Sequence, residues 1–313
     1  MDPGIKNAIT DQGWSVFDPI GKGEFGAVYK VMPVDGTEGS FKSGAGKLMA
    51  NAPQHRKEVS ILYTLLFDSG LYHGSIEGDK VEHQTDSKFR HPGLVYYIDA
   101  FEVNDHFIFL VTDYFEGLTL MEFINAAFRP SNVQLEKITR TLLSTLEFIH
   151  VHNIIHRDVK LENIMFNSYT GETKLIDFGL SSFFDNIDLQ RVGTPTYWPS
   201  EFSPPICYNT KFMTVSKLRV IDAKGFCKAD IYALGIVLYE FATGKDIEPF
   251  SYLQLYDLSK NQDLYLFPDA VKIFNIDNMW LANVILLCLT PDPMMRKYAS
   301  EILESVDQTQ KYT

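Results

Sequence analysis

The sequence predicts an α+β chain in two lobes, a small β-rich lobe over about residues 14–113 and a larger, mainly helical lobe over about 116–305. Ile20 to Val31 alternates around glycines, and Phe107 to Thr112 is a short apolar run, both of which read as strand. Beyond Gly117 the apolar residues change to helical spacing. Strands first and helices later segregate into a β-rich layer and a helical one, and 313 residues suffice for two modest cores.

Between the two strand regions, Pro53 to Phe67 is predicted to be a helix. Proline suits a first turn, where its missing N–H costs nothing, and Val59, Leu62 and Leu66 recur at helical spacing. Ser131 and Gln134 form a capping-box pair ahead of Leu135, Ile138, Leu142, Leu146 and Ile149, which share one face of a second helix. A third is expected to open at Asp230 and close at Gly244; it is apolar on most sides, as suits the centre of a lobe. Two polar stretches, 68–90 and 202–228, read as surface insertions, where a docking partner would attach if the chain has one.

A net charge of −12 argues against nucleic-acid or anionic-membrane partners, which need basic stripes. Cys207, Cys227 and Cys288 show no Cys-x-x-Cys spacing, so neither a disulfide framework nor a zinc site is indicated. Met1 to Trp14 lacks the apolar core of a secretory signal, and the longest apolar stretch, Ile231 to Ala242, is too short for a bilayer. A cytoplasmic setting is expected.

The chemistry concentrates in His156-Arg157-Asp158-Val159-Lys160-Leu161-Glu162-Asn163 and in Asp177-Phe178-Gly179. Asp158 can accept the proton of an attacking hydroxyl, and Lys160 can neutralise a phosphoryl group in transit. Asn163 and Asp177 are hard oxygen ligands of the kind Mg²⁺ prefers. Gly21-Lys22-Gly23-Glu24-Phe25-Gly26-Ala27-Val28 lets backbone approach phosphates with no Cβ in the way. Dinucleotide-binding folds share that glycine spacing, but here no βαβ pattern follows it.

In order and correctly separated, these segments resemble the eukaryotic-type protein kinases from about Asp18 to about Glu304. The resemblance implies the two-lobed protein kinase fold, with ATP and Mg²⁺ as cofactors. Gly21, Gly23 and Gly26 would form the lid over the phosphates, with Val28 against adenine. Thr112-Asp113-Tyr114-Phe115 would be the hinge, in which Asp113 and Phe115 offer backbone groups and Thr112 is a small gatekeeper. Met165 would complete the nucleotide contacts. Asp158 would be the base, with Mg²⁺ on Asn163 and Asp177. Lys160 and Gly193-Thr194-Pro195 point to a protein Ser/Thr acceptor, Thr194 bridging Asp158 and Lys160. Glu201 would pair with Arg296.

The resemblance also requires a lysine that holds the α- and β-phosphates, anchored by Glu58. Lys42 fits best, sixteen positions before Glu58; Lys47 is the competitor, but its eleven positions are tight for finishing a strand and entering a helix. From Phe183 to Val192 there is no Ser, Thr or Tyr, which predicts activity without phosphorylation of this loop, Asp185 or Asp188 offering a negative charge to Arg157. A scaffold lacking chemistry and a small-molecule phosphotransferase are the alternatives; the filled motif positions weigh against the first, and Lys160 and Thr194 against the second.

Overall fold

The computed structural model describes residues 1–23, 26–34, 43–67, 91–186, 192–199, 202, 223–245 and 276–310. The chain divides into two compact units. One holds Met1–Glu116 and Asp177–Gly179, the other Gly117–Ile176 and Leu180–Thr313.

The first unit is built on a five-stranded antiparallel sheet. Its strands are β1 (Trp14–Gly23), β2 (Gly26–Pro33), β3 (Gly44–Ala50), β4 (Tyr97–Asn104) and β5 (Phe107–Asp113), in the order β1-β2-β3-β5-β4. Helix α1 (Pro3–Asp11) precedes the sheet, and the Asp2 side chain caps it by accepting from the N–H groups of Gly4 and Ile5. Its Ile9 is buried in a cluster with Trp14, Val16, Val31, Ile98, Phe109 and Val111. The Trp14 indole N–H donates to Asp99 Oδ2 at 2.9 Å, so the polar end of a buried aromatic is satisfied. Helix α2 spans Pro53–Phe67, the range the sequence predicts, and buries Val59, Ile61, Leu62 and Leu65 together with Glu58.

The second unit is helical around two small sheets. Among the described residues its helices are α3 (Leu120–Asn125), α4 (Asn132–Val151), α5 (Ala223–Thr243), α6 (Met279–Cys288) and α7 (Ala299–Gln310). Strands β6 (Leu118–Thr119), β8 (Ile164–Phe166) and β9 (Thr173–Leu175) form one sheet, and β7 (Ile154–Ile155) pairs with β10 (Ser182–Phe183). At the start of α4 both bonds of the predicted capping box are made: Ser131 Oγ accepts from Gln134 N–H, and Gln134 Oε1 accepts from Ser131 N–H. Leu135, Ile138, Leu142, Leu146 and Ile149 are all buried along one side of α4.

One helix start differs from expectation. α5 begins at Ala223, so Asp230 lies inside it. The Asp230 carboxylate is committed elsewhere: it accepts from the backbone N–H groups of His156 and Arg157 at 2.9 and 2.8 Å, and from His150 Nε2 at 2.9 Å. The expected insertion 202–228 therefore ends in helix, since Ala223 to Lys228 open α5. Stretch 68–90 lies outside the described residues, as does 203–222. Among the described residues no helix is long and apolar enough to cross a membrane.

Candidate active site

In the first unit, sheet register sets the site. Val28 stands opposite Lys47, which stands opposite Leu110, and Ala45 stands opposite Thr112. The glycine-bearing hairpin pairs Gly21 with Val28 and Gly23 with Gly26, which puts Val28 beside Lys47. The period of two in a strand sends Ala45, Lys47 and Met49 to one face and Gly44, Gly46 and Leu48 to the other.

Lys47 Nζ lies 2.8 and 3.0 Å from the two carboxylate oxygens of Glu58 and 2.9 Å from Asp177 Oδ1. Glu58 is thus paired with Lys47, which corrects the expected Lys42–Glu58 pair; Lys42 itself lies outside the described residues. Eleven positions are enough because of how the chain spends them. Three residues after Lys47 finish β3, Asn51 and Ala52 turn, and the rest of the path climbs α2. The strand residues cover about 3.3 Å each and the helical ones about 1.5 Å each, so three extended residues and the first turn and a half of α2 are of similar length, and the turn between them can set Glu58 beside Lys47. One signal in the sequence could have found this lysine: Ala45 stands two positions before Lys47, as Ala does before Lys in the Val-Ala-Ile-Lys pattern.

Burial works against the charge on Lys47, but the Glu58 and Asp177 carboxylates outweigh it and hold the ammonium above its ordinary range. Burial pushes the Glu58 carboxyl up, while Lys47 pulls it down. The ammonium is therefore kept charged where an anion could meet it. Asp177 adopts φ +62°, a left-handed backbone, and its Oδ1 also accepts from Gly179 N–H at 3.3 Å.

The expected hinge residues, Thr112 to Phe115, lie at the end of β5 and just beyond it. Asp113 N–H donates to Tyr96 C=O at 2.9 Å, and the Asp113 carboxylate accepts from Tyr96 N–H. Thr112 is half-buried, its hydroxyl 3.5 Å from Ala45 C=O, and Phe115 is half-buried beyond it.

In the second unit, Asp158 gathers its neighbours. Its Oδ1 accepts from Thr194 N–H at 3.1 Å and from Thr194 Oγ1 at 2.9 Å. Its Oδ2 accepts from Asn163 Nδ2 at 2.9 Å and lies 2.7 Å from Lys160 Nζ. Lys160 also donates to Thr194 Oγ1 at 3.2 Å, closing a triangle of the three side chains. Asn163 Nδ2 donates again to Asp158 C=O at 2.8 Å. With both amide protons given to Asp158, the atom Asn163 has left for a cation is its oxygen, which fits a Mg²⁺ ligand.

This loop is strained and held. Arg157 adopts φ +69°, and the bond from its N–H to Asp230 keeps it there. Met165 sits in β8, half-buried, opposite Thr119 and Lys174. Arg296 is buried and donates to the carbonyls of Thr290, Lys228 and Pro291. Its expected partner Glu201 lies outside the described residues, as does Asp188.

A sheet that buries a Lys–Glu pair beside the Asp of Asp-Phe-Gly, and a helical unit that ties Asp158 to Lys160, Asn163 and Thr194, together define a protein kinase domain. The chain belongs to that family: residues 14–306 match the protein kinase domain.

Its curated relatives carry matching names. "Probable serine/threonine-protein kinase mkcE" of Dictyostelium discoideum is 30% identical over 230 residues, which are 72% of this chain and 26% of that protein. "Serine/threonine-protein kinase shk2" of Schizosaccharomyces pombe is 27% identical over 313 residues, covering 96% and 45%. "Serine/threonine-protein kinase PrkC" of Bacillus subtilis is 28% identical over 252 residues, covering 80% and 36%. The chain spans less than half the length of these relatives.

Proposed function

We propose that the chain transfers the γ-phosphoryl group of ATP to a Ser or Thr hydroxyl of a protein substrate. The observation that carries this reading is the triangle of Asp158, Lys160 and Thr194. Asp158 orients the acceptor hydroxyl and takes its proton as the new O–P bond forms and the bond to the ADP oxygen breaks. Lys160 offsets the charge on the moving phosphoryl group, and Thr194 holds both in place. Positioning and charge, more than base strength, lower such a barrier. Lys47 holds the α- and β-phosphates with its charge secured by Glu58. Asn163 and Asp177 would each offer Mg²⁺ an oxygen ligand, and the ion would supply positive charge to neutralise phosphate oxygens.

We further propose that activity does not require phosphorylation of the loop 183–192. At its two ends, β10 pairs with β7, Phe184 N–H donates to Asn153 C=O at 2.8 Å, and Trp198 Nε1 donates to Val192 C=O at 3.2 Å, contacts that need no phosphate. The exposed Asp185 is a candidate source of negative charge for Arg157.

The test is phosphate transfer from radiolabelled ATP with Mg²⁺ to generic Ser/Thr substrates, comparing wild type, Asp158→Asn and phosphatase-treated protein. Transfer by wild type, lost in Asp158→Asn and unchanged by phosphatase, is the expected result. ATP binding without transfer would favour a scaffold. Loss of transfer on phosphatase treatment would sink the phosphorylation-independent part.

A further inference from the structure

β3 is an unusual place to hang a buried lysine. Two of the three residues before Lys47 are glycines, Gly44 and Gly46, which give a strand little side chain to pack. Backbone of that kind is soft unless something outside it holds it. Phe109 supplies the support at Gly46. It stands opposite Leu48 in the register, and its ring leans diagonally across two positions of the ladder. A Cβ placed on Gly46 would lie 2.3 Å from Phe109 Cζ, 2.6 Å from Phe109 Cε1 and 2.9 Å from Val31 Cγ1. The ring therefore fills the space a side chain of β3 would take, one residue before Lys47. Phe109 is fully buried in the same apolar cluster as Ile9 of α1, a helix that precedes the stretch matching the kinase family.

We propose that Phe109 is a positioning residue for Lys47. Its ring, locked in the cluster that α1 helps to close, sets the height of the β3 backbone at Gly46 and hence the point from which Lys47 reaches Glu58 and Asp177. The tolerance is small, since three contacts of 2.8 to 3.0 Å converge on one nitrogen and a hydrogen bond is gone by about 3.6 Å. The proposal rests on the reading of Lys47 as the ATP anchor. It adds that this anchor depends on an aromatic ring on the face of the sheet opposite to Lys47.

The experiment uses the full chain as wild type, Phe109→Val, Gly46→Val and the double variant. Three quantities are read: thermal melting, the rate at which a lysine-reactive acyl phosphate of ATP labels Lys47 (by mass spectrometry), and KM for ATP against kcat. Phe109→Val is expected to melt cooperatively, to slow labelling about tenfold and to raise KM for ATP more than it lowers kcat. Gly46→Val alone is expected to be impaired by the clash. In the double variant the new valine occupies the space the ring leaves, and labelling is expected to return to within about threefold of wild type, a coupling that independent sites would not give. Should Phe109→Val not melt cooperatively, Phe109→Leu, which keeps apolar bulk without the flat ring, takes its place. Wild-type labelling in the folded Phe109 variant overturns the proposal, and so does a double variant that regains its melting temperature but not its labelling. If wild type itself is not labelled at Lys47, the ATP-anchor reading fails, and that shows before any substitution is compared.

Discussion

A Cβ on Gly193 would lie 2.3 Å from the carbonyl oxygen of Arg157. Both residues have left-handed backbone, Gly193 at φ +95° and Arg157 at φ +69°. Between them they bring Thr194 to Asp158. Gly193→Ala must either move the Arg157 backbone or pull Thr194 away, and alanine at that φ is itself strained by about 1–2 kcal/mol. The expected outcome is a fall in kcat of at least about tenfold, because the Thr194–Asp158 bonds act on the reacting groups. Steady-state transfer with a thermal melt checks it; a folded variant with wild-type kcat would refute it.

Lys47→Ala leaves the buried Glu58 carboxylate and Asp177 without their shared cation. Removing one partner of a buried pair costs about 3–5 kcal/mol, so the variant is expected to melt lower as well as to lose transfer by at least about 100-fold. Lys42→Ala is expected to transfer phosphate close to the wild-type rate. The opposite ranking in the radiolabel assay would return the anchoring role to Lys42.

Stability is expected to fall steadily above pH 9. Burial pushes the Cys288 thiol from its ordinary 9.0 up to about 12, and burial likewise raises the Tyr97 and Tyr197 phenols, Tyr197 with help from Glu240. The carboxylates of Glu58 and Asp177 outweigh burial to raise Lys47. In each case the unfolded chain releases its proton first, so the stability these groups hold is complete below their ordinary values and is lost as pH rises toward the folded ones. Cys288 alone would account for a loss on the order of 4 kcal/mol by pH 12. Urea titrations at pH 8, 9, 10 and 11, pH values chosen about these ranges, check the direction. A flat profile would contradict it.

Ser131→Ala removes one side of the α4 capping box while leaving Gln134 in place. The expected cost is about 1 kcal/mol, or roughly 2 °C in Tm for a domain of this size, with transfer unchanged. A drop in kcat without a drop in Tm would mean that the cap matters for something other than the helix.

Much of this protein follows from local sequence. The range of α2, the capping box of α4 and the buried side of that helix are set by residue spacing within a few turns, which a chain carries wherever it folds. The residues that gather at Asp158 are likewise legible, since a short loop can bring Lys160 and Asn163 back to Asp158 without help from distant segments.

Only the tertiary structure decided the rest. Whether Lys42 or Lys47 meets Glu58 depends on where β3 ends and how steeply α2 returns, and a count of positions does not distinguish an extended residue from a helical one. The work of Asp230 was hidden for a related reason. In sequence it resembles a helix start, yet inside α5 its carboxylate receives two backbone N–H groups from more than seventy positions away. Phe109 reads only as one apolar residue of a strand until register lays its ring over Gly46. Periodicity is a property of neighbours along the chain; which lysine is paired, which turn is strained and which ring fills a glycine's space are properties of neighbours across it.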